Sequence, residues 1–211
     1  MTAPSPVEPA TLSPRQRAVL AVALDLLVEG GDKALTTAGL ARAAGCSKES
    51  LYKWFGDRDG LLAAIVAFQA SKVRTLAPGA ERLSAEEFRR RLTVFAEDLL
   101  TVLSSRESLA LNRLAIGEAG RAGARLGPLL MERGRRTIET RARALLELGR
   151  AQGHLAFSET GAAWGALYGL VVRDTHVRLL LGAAPEGDGE VAAQAATAID
   201  AFFRLFGAGR D

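Results

Sequence analysis

Two short helical segments joined by a tight turn most constrain what this chain can fold into. Residues 36–55 read TTAGLARAAGCSKESLYKWF, with Gly45 and the next two residues between the segments. Thr36 and Thr37 are capping residues before the first segment, and Ser47 caps the second. Glycine adopts the backbone conformation that such a turn needs. The spacing is that of a helix-turn-helix, although an ordinary helical hairpin with solvated charges shares these features.

The polar side of the second segment carries side chains that suit nucleic acid. Lys48, Glu49, Ser50 and Lys53 project from it. A helix of this kind fits the DNA major groove, and its N-terminal N–H groups can face phosphate. Residues 13–75 hold nine Lys/Arg against six Asp/Glu, an excess that chance alone also produces. The charge of this segment is therefore compatible with DNA binding but does not by itself indicate it.

The composition predicts an all-α protein. Apolar residues make up 48% of the 211 residues but aromatic residues only 6%, so Leu, Ala and Val dominate the core. These residues suit packed helices better than sheets. Apolar spacing, caps and glycine breaks predict nine helices and no strand or repeat. The predicted helices are 14–30, 36–44, 48–55, 57–76, 84–104, 106–119, 128–152, 158–182 and 190–206.

Several classes of protein are not expected. One cysteine and two separated histidines exclude a disulfide framework and a cysteine-based zinc site, so we expect no metal and no cofactor. No Ser/His/Asp grouping or phosphate loop indicates an enzyme. No apolar run approaches the length of a membrane span, and the start lacks the features of a signal peptide. We therefore expect a soluble, cytoplasmic protein that does not engage membranes.

The run from Gly30 through Leu62, G-x(5)-TT-x(2)-LA-x-AAG-x-S-x(3)-LY-x-WF-x-DRDGLL, resembles the DNA-binding domain of the TetR family of transcriptional regulators. The segment 113–118 and the long helix after Pro128 are similar to the C-terminal domain of AefR-like members. Residues 1–12 contain three Pro and no periodic pattern, so we expect a disordered arm there. The resemblance implies a three-helix DNA-binding domain (13–57) and a six-helix regulatory and dimerisation domain (58–211).

The resemblance also implies the DNA contacts. Tyr52 matches a tyrosine that reaches a backbone phosphate, and Thr36 or Thr37 matches another phosphate contact. Arg58 matches the basic residue at the start of the fourth helix. Trp54 stands where members of the family often have His. Apolar packing as a hydrophobic plug and a DNA contact through the indole N–H are equally good interpretations of this Trp. Glu49 could accept from cytosine, but a solvated carboxylate is favoured. The implied set is Thr36, Thr37, Ser47, Lys48, Glu49, Ser50, Tyr52, Lys53, Trp54 and Arg58.

The implied partners are a double-stranded operator, a second copy of the chain and a small-molecule effector. A symmetric dimer doubles the few base pairs that one short helix contacts. The last two predicted helices are small-residue-rich and apolar, so we expect them to form the dimer, with packing inside one chain as the alternative. The predicted interface is Gly161, Gly165, Gly169, Ala195, Ile199, Phe202, Phe203 and Phe206.

An effector pocket is expected inside the second domain, mostly apolar with few polar groups. Each of its candidate residues has an alternative role in the core or on the surface. The candidates are Phe88, Phe95, Leu99, Arg113, Trp164, Tyr168, Arg173 and His176. Effector binding is expected to release a repressor from DNA, with helix 57–76 as the connection.

Three alternatives remain at this point. A helical interaction module could use the same fold without DNA, and the steep salt dependence of DNA binding would distinguish it. An activator differs from a repressor only in operator position. Cys46, in the turn, could be a redox switch, although buried packing is favoured.

Overall fold

The computed structural model describes residues 12–74, 82–185 and 187–209, and helices dominate them. Apart from Leu12, the arm expected at 1–12 lies outside the described residues. So does the Pro78–Gly79 stretch expected after the fourth helix. The α-helices are α1 Pro14–Ala34, α2 Thr37–Ala43, α3 Lys48–Phe55, α4 Arg58–Ser71, α5 Ala85–Ser104, α6 Arg106–Glu118, α7 Leu126–Leu129, α8 Arg136–Ala151, α9 Thr160–Val172, α10 Thr175–Leu180 and α11 Asp188–Phe206.

The helix count exceeds the prediction by one, because the segment expected at 158–182 is two helices. Arg173 adopts a left-handed backbone (φ 50°) between α9 and α10, which ends the first helix. A π-helical segment, Leu130–Arg135, joins α7 to α8, so these three stretches form one continuous helical path. Counted in this way, the described residues contain ten helices, and the all-α prediction is confirmed.

Other boundaries follow the local signals closely. Gly31 (φ 62°) interrupts α1 where the glycine pair predicted a stop. Ser84 accepts a hydrogen bond from the backbone N–H of Glu87 at 3.1 Å, as the expected cap at the start of α5. In contrast, α4 ends at Ser71 instead of continuing towards Leu76. The described residues contain one isolated antiparallel bridge, Leu155 to Gly207, and no strand.

The chain divides into two compact units. The N-terminal unit comprises the described residues up to Lys72 together with Ser105–Thr137, and the C-terminal unit comprises Val73–Ser104 and the residues from Ile138 onward. The division differs from the expected boundary in that α4 and α6 pack against α1, inside the N-terminal unit. The domain boundaries 13–57 and 58–211 stay a prediction about function.

The core of the N-terminal unit forms on the apolar face of α1. Val19, Ala23 and Leu27 of α1 are buried there, and Leu12 packs against the same core. Close packing of these side chains removes their apolar surface from water, which is the main force that holds the small helices in place.

The core of the C-terminal unit forms where α5, α9 and α11 pack together. Phe88, Phe95 and Phe202 are fully buried in it. Gly149 of α8 is also buried and provides the space for the Phe88 ring. The Phe88 ring therefore lies opposite a small residue.

Candidate nucleic-acid interface

The turn between α2 and α3 is a Schellman motif, which fixes how the second helix leaves the first. The Gly45 N–H donates to the Arg42 carbonyl at 3.3 Å, and the Cys46 N–H donates to the Ala41 carbonyl at 2.9 Å. Gly45 has φ 58°, a conformation costly for residues with a Cβ. The expectation that glycine is required in this turn is confirmed.

Helix α3 begins at a cap and buries one side only. Ser47 Oγ accepts from the Ser50 N–H at 3.1 Å. Leu51 and Phe55 are buried against the core of the N-terminal unit, 4% and 6% exposed. The rest of the helix presents a continuous polar surface, the recognition face, formed by Ser47, Lys48, Glu49, Ser50, Tyr52 and Lys53. All of these except the half-buried Ser50 are exposed.

Glu49 is held in its ionised form on this face. A hydrogen bond to its own backbone N–H, and then the Ser47 hydroxyl and the Lys48 charge, hold the pKa of Glu49 below its ordinary value. The carboxylate lies in the first turn of α3, where the N–H groups at the helix start favour negative charge. In the free protein, Glu49 is therefore a solvent-exposed carboxylate at the start of α3.

Three residues implied as phosphate contacts meet at one notch. Thr37 of α2, Tyr52 of α3 and Arg58 of α4 line a depression of about 20 Å³. That volume accommodates about one water-sized group. Tyr52 is 57% exposed, so its hydroxyl end is accessible to a ligand of the surface. The fold therefore gathers, from three helices, side chains that the sequence separates by 21 residues.

Thr36 and Arg58 also have structural roles beside this notch. Thr36 caps α2 by accepting from the Gly39 N–H at 3.0 Å. The guanidinium of Arg58 donates to the Leu35 carbonyl at 2.7 Å, which joins the start of α4 to the segment before α2. Contacts to DNA by these two residues would come in addition to the contacts inside the protein.

The close approach of α3 and α4 explains part of the DRDGLL sequence. Asp57 caps α4 by accepting from the Gly60 N–H at 2.8 Å. A Cβ at Gly60 would overlap the Phe55 carbonyl oxygen, so the end of α3 leaves room for glycine alone. The position of Arg58 relative to α3 is therefore fixed by short-range packing.

Trp54 and Cys46 both pack against the core. The half-buried Trp54 ring contacts Phe55 edge-on, with 6.2 Å between the centroids. Cys46 is half-buried and has a free thiol. The hydrophobic-plug and packing interpretations match these positions.

One residue of this region has no local sequence signal. Arg15 of α1 donates from Nη2 to the carbonyls of Ala44 and Gly45, at 2.8 and 2.7 Å. The contact joins residues 29 and 30 positions apart, so neither helical periodicity nor a capping pattern could indicate it. The general rule that the last carbonyls of a helix lack partners within it indicates only that some donor should bind the end of α2.

An open, charged cleft lies elsewhere in the N-terminal unit. It measures about 400 Å³ and lies between the start of α4 and the connection from α6 to α7. Arg125 and Asp59 form a loose ion pair there, 3.6 Å apart and well exposed. Its charged lining does not resemble the apolar effector pocket that the sequence predicts.

Several predicted effector residues come together in the C-terminal unit. Trp164 contacts Phe95 and Tyr168 edge-on, at 6.3 and 5.4 Å between centroids. Leu99 is buried in the same unit, and Phe88 stacks on His154 at 5.2 Å. Arg173 is exposed, and Arg113 is an exposed residue of α6 in the N-terminal unit.

His176 differs from the other effector candidates because its ring nitrogen is buried. Within the described residues, His176 Nε2 has no hydrogen-bond partner. Burial also lowers the pKa of His176 below its ordinary value, so the imidazole is kept neutral.

The predicted interface residues divide between core and surface. Ala195, Ile199 and Phe202 of α11 are buried inside the C-terminal unit, and Phe203 and Phe206 are half-buried. Gly165 and Gly169 of α9 are exposed, and a Cβ at either would meet nothing within 4 Å. Gly161 is half-buried beside the Arg143 guanidinium.

Within the described residues, no group of three His, Cys, Asp or Glu could hold a metal ion. No described helix is both long and apolar enough to cross a membrane.

Comparison with known proteins identifies both parts of the chain. The family model of "bacterial regulatory proteins, tetR family" matches residues 19–65. The model of the "AefR-like transcriptional repressor, C-terminal domain" matches residues 90–208, more than half of the chain. No curated protein matches the chain.

Solved structures support the same conclusion. A TetR transcriptional regulator from Agrobacterium tumefaciens is 58% identical over 93% of this chain and 96% of that one, with a TM-score of 0.80. A protein from Mesorhizobium loti assigned to the TetR family is 21% identical over 92% and 96%, with a TM-score of 0.70. The flavonoid-responsive regulator FrrA is 23% identical over 92% and 97%, with a TM-score of 0.63. The last two show the fold alone.

TetR-family regulators are non-enzymatic DNA-binding transcription factors, which agrees with the expectation that this chain is not an enzyme. The resemblance seen in the sequence is confirmed over both the helix-turn-helix and the C-terminal part. This chain belongs to the TetR family of transcriptional regulators.

Proposed function

We propose that this protein is a homodimeric, cytoplasmic repressor that binds a palindromic operator and leaves it when a small molecule binds. In this proposal, residues 13–57 contact DNA and residues 58–211 provide dimerisation and effector binding. The observation that carries the DNA-binding part is the notch lined by Thr37, Tyr52 and Arg58 beside the recognition face. A repressor is favoured over an activator because the matched C-terminal model describes a repressor.

The recognition face divides into anchoring and sequence-reading side chains. Thr37, Tyr52 and Arg58 line one notch together with Asp57, and the notch has room for about one phosphate oxygen, so a phosphate would lie at its mouth. Lys48 and Lys53 are exposed, and lysine donates to guanine acceptors in the major groove. Phosphate contacts would fix the register of α3, so that the lysines meet base edges.

A dimer supplies the second copy of α3 that a palindrome requires. The exposed small residues of α9, Gly165 and Gly169, leave space for a close approach by another helix. On α11, Ala192 and Ala196 are also exposed. Because Ile199 and Phe202 are occupied inside the unit, the proposed contact uses the small-residue surfaces of both helices.

The effector is proposed to bind in the C-terminal unit, near the aromatic cluster of Phe95, Trp164 and Tyr168. His176 Nε2, a buried polar atom of α10 in the same unit, is a further candidate contact. Aromatic rings suit a flat, largely apolar molecule, and one regulator of the same fold is described as flavonoid-responsive. A differential binding energy of about 1–3 kcal/mol would change operator affinity severalfold to a hundredfold.

The test begins with a duplex selected from a random pool by the native protein. Fluorescence anisotropy then compares Lys53→Ala and Tyr52→Phe with Lys72→Ala, which removes the same charge at the far end of α4, about 20 Å from Arg58. We expect the first two to lose affinity by about tenfold each, with Lys72→Ala near the native value. Equal losses in all three, or none, would refute the assignment of the recognition face.

A further inference from the structure

Arg15, in the first turn of α1, is hydrogen-bonded to the loop between α2 and α3, which precedes the recognition face. One nitrogen of Arg15, Nη2, donates to two successive backbone carbonyls, those of Ala44 and Gly45. Ala44 is the C-cap of α2 and Gly45 is the left-handed residue of the Schellman motif. A guanidinium supplies charge-assisted hydrogen bonds, which are stronger than neutral ones. Arg15 thus joins α1 to the backbone of the turn.

The two carbonyls lie close in sequence to the start of α3. Gly45 is separated from the N-cap Ser47 only by Cys46, whose N–H is already bonded to the Ala41 carbonyl at 2.9 Å. The backbone from Ala44 to Ser47 is therefore held on one side by α2 and on the other by Arg15. A small rotation at Gly45 would displace the whole of α3, because the eight-residue helix follows directly.

The rest of α3 is held mainly by apolar contacts that do not fix its direction sharply. Leu51 and Phe55 anchor the buried side, and hydrophobic contact is non-directional. Hydrogen bonds at the N-terminal end add the missing orientation, because they require specific distances and angles. Arg15 and the Ser47 cap both supply side-chain hydrogen bonds at that end.

We propose that Arg15 is a positioning residue for DNA recognition: by holding the Ala44 and Gly45 carbonyls, it sets the direction in which α3 presents its recognition face. The residue acts on specificity through the turn, without itself contacting a base or a phosphate. This inference rests on the proposed function, since positioning has a consequence only if α3 contacts DNA.

A positioning residue and a phosphate contact differ in what their removal changes. Loss of a phosphate contact weakens binding to every sequence alike and lowers the salt slope by about one. Loss of positioning weakens the operator selectively, because misdirected lysines still meet the phosphates of any duplex. The ratio of operator to mixed-sequence affinity therefore separates the two. A general loss of folded protein would also lower both affinities equally.

The single cysteine of the chain supplies a local probe of the turn. Cys46 is half-buried against the core of the N-terminal unit, directly after Gly45. If Arg15 holds the turn closed, its removal exposes the thiol and accelerates modification by a thiol reagent such as Ellman's reagent. The readout needs no DNA and reports on the free, full-length protein.

The experiment compares Arg15→Ala, Arg15→Lys and the matched control Arg17→Ala. Arg17 lies on the same helix and loses the same charge, but its guanidinium donates to the Leu12 carbonyl at 2.5 Å, away from the turn. Affinities are measured by anisotropy for the selected operator and for a duplex of scrambled sequence, at several salt concentrations. Rates of Cys46 modification are measured for the same proteins.

We expect Arg15→Ala to weaken operator binding by about tenfold, equivalent to about 1.4 kcal/mol, and scrambled-duplex binding by less than about twofold. Modification of Cys46 should accelerate by a similar factor. Arg17→Ala should leave the affinity ratio and the Cys46 rate at their native values. An ammonium can donate to both carbonyls, so Arg15→Lys should recover operator affinity and thiol protection together.

Equal weakening of both duplexes by Arg15→Ala, with a smaller salt slope, would overturn the proposal and assign Arg15 to a phosphate. So would recovery of operator affinity by Arg15→Lys while Cys46 stays as reactive as in Arg15→Ala. If the native protein selects no duplex, the proposed function itself fails and the positioning role fails with it. The Cys46 rates then show separately whether Arg15 closes the turn.

Discussion

A single added methyl group at Gly149 tests the packing of the C-terminal unit. Gly149 of α8 is buried, and a Cβ there would overlap the ring of Phe88, with Cε1 and Cε2 both at 2.8 Å. The ring has little room to move. Phe88 is 0% exposed, stacked on His154 at 5.2 Å and edge-on to Phe203 at 6.2 Å. Gly149→Ala therefore overpacks a filled site.

The magnitude follows from two opposing effects. Overpacking a filled core costs about 1–3 kcal/mol. Replacing glycine by alanine inside a helix raises the free energy of unfolding by about 0.5–1 kcal/mol. The free energy of unfolding should therefore fall by about 0–2.5 kcal/mol, which lowers the melting temperature by up to several degrees for a chain of this size. Phe88 is a rigid aromatic ring, which places the value in the upper part of that interval.

Gly117→Ala is the matched control, since it makes the same change inside a helix at an open position. Gly117 of α6 is exposed, and a Cβ there would meet nothing within 4 Å. That variant should gain about 0.5–1 kcal/mol. Urea unfolding at one fixed protein concentration measures both, because the proposed dimerisation would make stability depend on concentration.

The cause is isolated by a second change at Phe88. In a Phe88→Leu background the smaller side chain leaves room for the new methyl group, so Gly149→Ala should no longer destabilise. A coupling energy of about 1 kcal/mol or more between the two sites is expected. The reasoning is refuted if Gly149→Ala is as stable as Gly117→Ala, or if its cost is unchanged in the Phe88→Leu background.

Four further variants test the caps, the titration and the proposed dimer. Ser47→Ala and Ser84→Ala each remove an N-cap whose hydrogen bond measures 3.1 Å, and each should lower the free energy of unfolding by about 1 kcal/mol. Only Ser47→Ala should also weaken operator binding. Equal DNA affinities of the two variants would contradict this. Because burial holds the pKa of His176 below its ordinary 6.5, the unfolded chain binds that proton first and stability falls as pH drops below about 6.5. His176→Gln should flatten that fall in pH-dependent denaturation, and an unchanged slope would exclude His176 as its source. Gly165→Leu should shift dimer to monomer in sedimentation without loss of helicity, whereas an unchanged dimer constant would place the interface elsewhere.

Local chemistry made much of the fold predictable. Thr36, Ser47, Asp57 and Ser84 were each expected at a helix start, and each accepts a hydrogen bond from a backbone N–H three residues later. A cap is determined by residues within one helical turn, so the sequence contains the whole signal. The same holds for the left-handed Gly45 in the turn.

Features that depend on distant contacts were not predictable. Arg173 breaks the helix expected at 158–182, although arginine carries no preference for φ 50°. The contact of Arg15 with the turn joins positions 29 and 30 residues apart. Neither feature has a periodic or compositional signal, because each is set by packing between elements.

The apolar pattern of α11 shows a third limit. Ala195, Ile199 and Phe202 recur at helical spacing, which predicts one apolar face but not what covers it. The structure buries all three inside the C-terminal unit. A core face and a dimer face have the same sequence pattern, so the spacing alone could not distinguish them.

The central claim is that two copies of α3 bind one palindrome. The most direct measurement is the affinity for the selected operator and for a version with about five base pairs inserted at its centre, which rotates one half-site by about half a helical turn. We expect a palindrome with half-sites about one helical turn apart. The insertion should weaken binding by about a hundredfold or more, down to the affinity for scrambled DNA. Equal affinity for the two duplexes, or selection of no palindrome, would contradict it.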